Sequence, residues 1–186
     1  GEWTLSGGLR ADVRRLNSKE LPGRFEAFRR TFPGISASLG AVRPLGEHFT
    51  LRANVARGFR APNLSELGSN GEHEGTFRFE LGNKDLKPEY SLQGDLGLDF
   101  TSEHVSIQSA LFMSRIDNYI FSARNGEVSD EGLPVYAFRS GLAHLGGGEI
   151  GIDIHPVHQL HLSSAFSCVY AREKGGDDLP LIPAPR

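Results

Sequence analysis

The residues best suited to chemistry in this 186-residue chain lie in one turn-rich stretch, residues 57–89, RGFRAPNLSELGSNGEHEGTFRFELGNKDLKPE. At its middle Glu72, His73 and Glu74 are followed by Arg78 and Glu80. A neutral imidazole beside carboxylates can ligate zinc or a similar borderline metal, and a lone histidine can reach haem iron. His73 is therefore the candidate metal ligand, and Glu72, Glu74, Arg78 and Glu80 are candidates for touching a substrate. A solvated loop with incidental acids is the simpler reading, because none of the other long links carries a histidine. His155 and His158 also have a spacing that could clip a metal, although residues of a short turn explain them more simply. No Ser/His/Asp set, phosphate loop or acid pair is present, so no enzyme is expected and no catalytic residue or cofactor is assigned.

A loop of about twenty residues without helical or strand period is unusual in a compact domain, and is more often functional than not. The elements on either side say what carries it. Residues 3–13 alternate, with Trp3, Leu5, Leu9, Ala11 and Val13 opposite Thr4, Ser6, Arg10 and Asp12. The same period of two, which means a strand with one apolar and one polar face, recurs at residues 35–42, 49–56, 89–100, 104–115, 135–154 and 160–170. The links between these seven strands alternate in length: long at 14–34, 57–89, 121–134 and from 172 onward, short at 44–48, 101–103 and 155–158. Pro62 fixes its own φ and biases Ala61 toward extended geometry, so the third strand should end at that corner.

Strands of about 9 to 11 residues, with short turns at one end and long loops at the other, are the pattern of a transmembrane β-barrel. The bilayer then supplies the apolar contact, and the opposite face lines a wet lumen. A soluble sandwich would also alternate, but its strands are typically about 5 or 6 residues long. On this reading Arg52, Asn54, Glu89, Gln93, Asp95, Asp99, Glu149 and Asp153 face the lumen, and Trp3, Phe49, Phe100 and Tyr170 suit the aromatic girdles.

Bulk composition agrees. The chain has 23 glycines and 10 prolines with only 38% apolar residues, yet 12 Phe and 4 Tyr are too many for a disordered chain. A net charge of −3 without a basic block gives no nucleic-acid surface. The single cysteine, Cys168, excludes an internal disulfide framework. No apolar run of about eighteen residues offers a transmembrane helix. The Gly1-Glu2 start and the open 179–186 end lead us to expect a piece of a longer chain. An open sheet of this kind leaves unpaired backbone groups that are costly in lipid, so the piece alone is expected to aggregate.

Four stretches carry a family likeness: GFRAPNLSEL (58–67), ELGN (80–83) through LKPE (86–89), DNYIF (117–121) and the terminal LPLIPAPR (179–186). In order and spacing they resemble the C-terminal barrel region of a TonB-dependent outer-membrane receptor, over all of residues 1–186. The resemblance implies an all-β, antiparallel barrel segment of about seven strands out of about 22, with the plug domain and final strands lying elsewhere. It also implies TonB-energised uptake of a scarce nutrient (an iron complex, haem or zinc), with the outer-membrane lipid, the receptor's own plug, the TonB–ExbB–ExbD system and a metal or metal-complex substrate as partners. The segment 71–83 is similar to receptors that take up zinc or haem. The competing expectation is a passive outer-membrane or surface-adhesion barrel whose long loops bind a partner without TonB.

Overall fold

The computed structural model describes residues 2–20, 22, 27–73, 75–175, 178–179 and 182–186. Seven long strands form one antiparallel sheet in the order β1 (Thr4–Asn17), β2 (Arg29–Leu45), β3 (Phe49–Arg60), β6 (Glu89–Thr101), β7 (Val105–Val128), β8 (Pro134–Val157) and β9 (Leu160–Glu173). A five-residue helix α1 (Leu64–Gly68) and two short strands, β4 (Asn70–His73) and β5 (Arg78–Leu81), lie between β3 and β6. Beyond β9 the chain turns back along it. The Leu179 amide donates to the Ala171 carbonyl, and Ser167 and Arg186 exchange backbone bonds of 2.6 and 3.0 Å.

Neighbouring strands pair in register, so alternation in sequence becomes two continuous faces. One face collects Leu5, Leu9, Leu39, Val55, Leu96, Leu111, Met113 and Phe166, all of them exposed. Leu9 is 81% and Met113 70% accessible. A soluble sandwich would cover this face with a second layer; here nothing among the described residues does so. This uncovered apolar wall, made by strands of 12 to 24 residues, separates the barrel from the sandwich. At the short-turn end the Phe49 and Phe100 rings meet at 5.0 Å, and Arg43 lies 5.1 Å from the Trp3 ring.

The expected long link at 121–134 is corrected. β7 continues to Val128 and β8 begins at Pro134, which leaves a turn of five residues closed by bonds between Ser129 and Leu133. Periodicity misses these extensions because the ladder is bulged twice. The register passes from Ile116↔Ala143 to Tyr119↔Gly141, and from Arg124↔Tyr136 to Val128↔Pro134. Asn118 (φ 57) and Gly126 (φ 91) take the left-handed geometry at these steps. At the first step one extra residue moves every later side chain of β7 to the other face, so the alternation appears to stop where the strand does not; at the second, two extra residues keep the face but interrupt the ladder. The long link at 14–34 is also shorter than expected, since β1 runs on to Asn17 and β2 starts at Arg29, here in an unbroken ladder.

Candidate functional site: a polar lumen wall under a docked loop

The polar face of the sheet carries a ladder of side chains held to one another across the strands. Arg52 Nη2 donates to Asp99 Oδ1 at 2.7 Å, Asn54 Nδ2 to Asp95 Oδ2 at 3.0 Å, and Gln93 Nε2 to Asp95 Oδ1 at 2.7 Å. Register accounts for this: Asn54 faces Asp95, and Thr50 beside Arg52 faces Asp99. Glu149 lies on the same face opposite Ala110 and Ser167. With Arg52, Gln108 and Arg186 it lines a shallow cleft. Asp153 stands near the short-turn rim, where His161 Nε2 lies 3.0 Å from its Oδ1. The His155 and His161 rings stack at 4.2 Å, so His155 is engaged across the β8–β9 hairpin.

At the long-loop end β3 stops at Arg60, as Pro62 dictates, and Arg60 joins two glutamates. Its Nε and Nη2 donate to Glu89 Oε2 and Oε1 at 2.7 and 2.5 Å, and its Nη1 donates to both oxygens of Glu66 at 2.9 and 3.1 Å. Both glutamates are only 8% exposed. Charges so buried persist when the remaining lone pairs are filled, and here they are. Glu89 Oε1 accepts the Ile120 amide at 2.7 Å, and Glu66 Oε2 accepts the Asn63 amide at 2.8 Å. The Glu66 amide in turn donates to Asn63 Oδ1, completing a capping box that starts α1.

This knot turns the loop inward. Leu67 and Leu86 bury against Leu16, Phe32 and Ile120, with Phe28, Phe59 and Phe138 around them, on the side opposite the exposed apolar wall. Arg30 adds a tie by donating from its two terminal nitrogens to the Lys84 and Leu86 carbonyls. The two ends of the loop meet where the Gly82 amide donates to the Ser69 carbonyl at 2.7 Å and the Asn83 amide to the Glu66 carbonyl at 2.8 Å. A Cβ on Gly82 would lie 2.6 to 2.8 Å from backbone atoms of residues 67–69, which only glycine avoids.

The loop's middle crosses past β7 to the far edge of β8. β5 pairs in parallel with β8 through Phe79↔Val135, Glu80↔Tyr136 and Leu81↔Ala137, while β4 pairs with β5. Arg78 lies 5.0 Å from the Tyr136 ring and donates to Glu80 Oε1 at 2.5 and 3.0 Å. Of the sequence candidates, Arg78 and Glu80 are thus bound together at the seam with β8. Glu72 and His73 stay exposed at the hairpin tip, where His73 Nδ1 lies 3.2 Å from Thr76 Oγ1. Glu74 lies outside the described residues. Among the described residues no group of three His, Cys, Asp or Glu side chains converges as a metal site, and His73 has no companion ligands among them. Glu89, expected to face the lumen, shares the face of Asp95 and Asp99 and is enclosed there in the Arg60 knot. The role of Arg60 and Glu66 went unread, although two signals were available: the N-x-x-E spacing of a capping box at Asn63–Glu66, and the opposition of Arg60 and Glu89 as paired strand ends.

The family model described as TonB dependent receptor-like, beta-barrel matches residues 1–184. The chain belongs to that family. It is 31% identical over 100 residues, 48% of its length, to the probable TonB-dependent siderophore receptor PirA of Acinetobacter baumannii, of which it spans 13%. It is 26% identical across 87% of its length to the iron-regulated outer membrane virulence protein of Vibrio cholerae, spanning 28% of that protein. In fold it resembles the copper transporter OprC with a TM-score of 0.83 at 19% identity, over 98% of this chain and 29% of that one. The sheet is therefore part of the wall of an outer-membrane barrel, with the apolar face toward lipid and the polar face toward the lumen.

Proposed function

We propose that this wall belongs to a receptor that imports a scarce nutrient, an iron complex foremost, with energy from the TonB–ExbB–ExbD system. One observation carries the reading: the loop over the outer end of the lumen is packed against the polar wall by the Arg60 knot, so it faces both the outside and the interior path. The two relatives named for siderophore reception and iron regulation support iron over haem or zinc. On the same reading Glu149, which has no side-chain partner among the described residues, and the Arg52–Asp99 and Asn54–Asp95 pairs contact a plug domain filling the lumen. Glu72 and His73 at the exposed hairpin tip make first contact with substrate.

The test is growth of a strain lacking the receptor, supplied with single iron-siderophore, haem or zinc sources, with and without TonB. A selective defect on iron-siderophore that TonB loss reproduces supports the reading. Equal growth on all sources overturns the substrate, and uptake that survives loss of TonB overturns the energised mechanism in favour of a passive binding barrel.

A further inference from the structure

One exposed bend, apart from the lumen wall and the docked loop, carries a chemistry of its own. The dipeptide Asn-Gly occurs twice in the chain, as Asn70-Gly71 on β4 and as Asn125-Gly126 near the outer end of β7. Before glycine an asparagine is open to attack on its own side-chain carbon, because the next backbone nitrogen has no Cβ beside it to shield it or to restrict its geometry. The same two residues sit here in two different backbones.

Asn70-Gly71 is held in a ladder. Asn70 pairs with Leu81 and Gly71 with Glu80. The Gly82 amide donates to the Ser69 carbonyl, so the alternation of antiparallel bonding directs the Gly71 amide at β5. A nitrogen bonded in that way is kept from the side chain that precedes it. Asn125-Gly126 lacks this restraint. The pairing of β7 with β8 passes from Arg124↔Tyr136 to Val128↔Pro134, so residues 125–127 stand against the single residue Val135 and have no ladder partner. Gly126 has φ 91, a left-handed geometry. Residues 124–128 are all exposed, so water reaches the bend.

Two further bonds prepare the side chain. The Glu127 amide donates to Asn125 Oδ1 at 2.9 Å, and Asn125 Nδ2 donates to Glu127 Oε2 at 2.6 Å. The backbone N–H draws electrons from Asn125 Cγ and stands where negative charge develops on the oxygen under attack, the placement that stabilises a tetrahedral intermediate. The carboxylate lies against the nitrogen that has to leave, as a base within reach of the proton that has to move.

We propose that Asn125-Gly126 is a self-modifying site, at which the folded receptor deamidates and loosens the seam between β8 and the β4–β5 hairpin. The Gly126 nitrogen bonds to Asn125 Cγ, its proton passes by way of the Glu127 carboxylate to the side-chain nitrogen, and the Cγ–Nδ2 bond breaks to release ammonia. The five-membered imide that remains takes up one water and opens at either carbonyl, giving aspartate or isoaspartate without oxidation or reduction. Either product sets a second carboxylate beside Glu127. Isoaspartate also adds a carbon to the main chain of β7 between two paired positions. Tyr136, the partner of Arg124 there, is on its other edge the partner of Glu80 in β5, and its ring lies 5.0 Å from Arg78. A change in the bend therefore reaches the seam through one residue.

The test ages the intact receptor in detergent at neutral to mildly alkaline pH and reads each asparagine by peptide mapping, with isoaspartate counted by enzymatic methylation. Asn125 should convert at least about tenfold faster than Asn70, whose reaction waits for its ladder to open. Glu127→Ala leaves the dipeptide intact and should slow conversion at Asn125 at least about tenfold, an exposed carboxylate giving less than the roughly hundredfold of an enclosed acid–base group. Equal rates at the two asparagines overturn the proposal. So does an unchanged or faster rate in the Glu127 variant, which would make the two side-chain bonds a restraint on Asn125. Hydrogen exchange at residues 78–81 should rise several-fold in aged receptor, and Asn125→Gln, which resists the reaction, should abolish the rise. No rise, or an equal rise in that variant, overturns the link to the hairpin. Folding of the variants is checked by heat-modifiable migration; should either fail, the comparison of Asn125 with Asn70 in the unaltered chain decides alone. Nothing here is read through uptake, so failure leaves the transport reading untouched.

Discussion

Arg60 serves two carboxylates at once, and its removal exposes what each side of the knot contributes. In Arg60→Ala, Glu66 and Glu89 would remain enclosed with only amide donors. A fully buried charge left in this way costs about 3–5 kcal/mol, and the partial exposure of Arg60 lowers the expectation to about 2–3 kcal/mol. Thermal unfolding of the assembled receptor should show that loss, and limited proteolysis should show new cutting within residues 61–88. Glu89→Gln keeps the shape, loses one charge and still accepts the Ile120 amide, so it should cost less than half as much. Gly82→Ala should open the same loop from its other end, at about 1–3 kcal/mol, because the added methyl meets backbone that cannot step aside. At this scale the sequence was only half legible. Alternation told which face Arg52, Asn54, Asp95 and Asp99 would occupy, and the ladder follows from it. Arg60 and Glu89 are a further opposed pair of the same two strands, but alternation could not tell that the loop would fold Glu66 onto Arg60 and enclose both glutamates.

Among the elements, the loop between β3 and β6 behaves as part of the sheet. α1 is too short to persist alone and exists through its capping box and the burial of Leu67. Leu67→Ala should cost about 2–5 kcal/mol, the range for a truncated core leucine. It should also raise hydrogen exchange at residues 64–69 well before the long strands respond. Because β5 pairs with β8, the hairpin and the outer end of β7–β8 should move as one body. Spin labels at Glu72 and Glu131 should keep a single narrow distance on adding substrate, even where both shift against the short-turn rim; broadening of that distance would show the two loops to be independent. Strand boundaries illustrate where periodicity fails. It located β3 and β6 closely because nothing interrupts their ladder. It lost β7 after Ile116 because the single extra residue at Asn118 resets the face and the two extra residues around Gly126 interrupt the ladder, changes that leave composition untouched.

For the molecule as a whole, two media on two faces explain a composition that would be too polar for a soluble core. The expected contrast is directional. Leu96→Arg, at the middle of the lipid-facing wall, should cost about 2–4 kcal/mol. Gln108→Arg, on the lumen face opposite Asp99, should stay within about 1 kcal/mol. The folded fraction after refolding of the receptor into vesicles measures both. Equal effects would mean that the faces are not divided between lipid and water. This division was the most legible property of all, because it repeats on every strand while each pocket or partner occurs once.

The split edge of β8 has a consequence for changing what such a receptor recognises. Its inner part, from Ala143, belongs to β9, and its outer part at 135–137 belongs to the β5 hairpin. The two neighbours share one rail of hydrogen-bonding groups, so a β9 lengthened outward by a few residues would evict the hairpin without any contact in the loop being altered. A loop grafted from a relative must therefore travel with the upper end of its β8 and with the length of its β9. Transplanted alone, residues 61–88 would arrive without a berth.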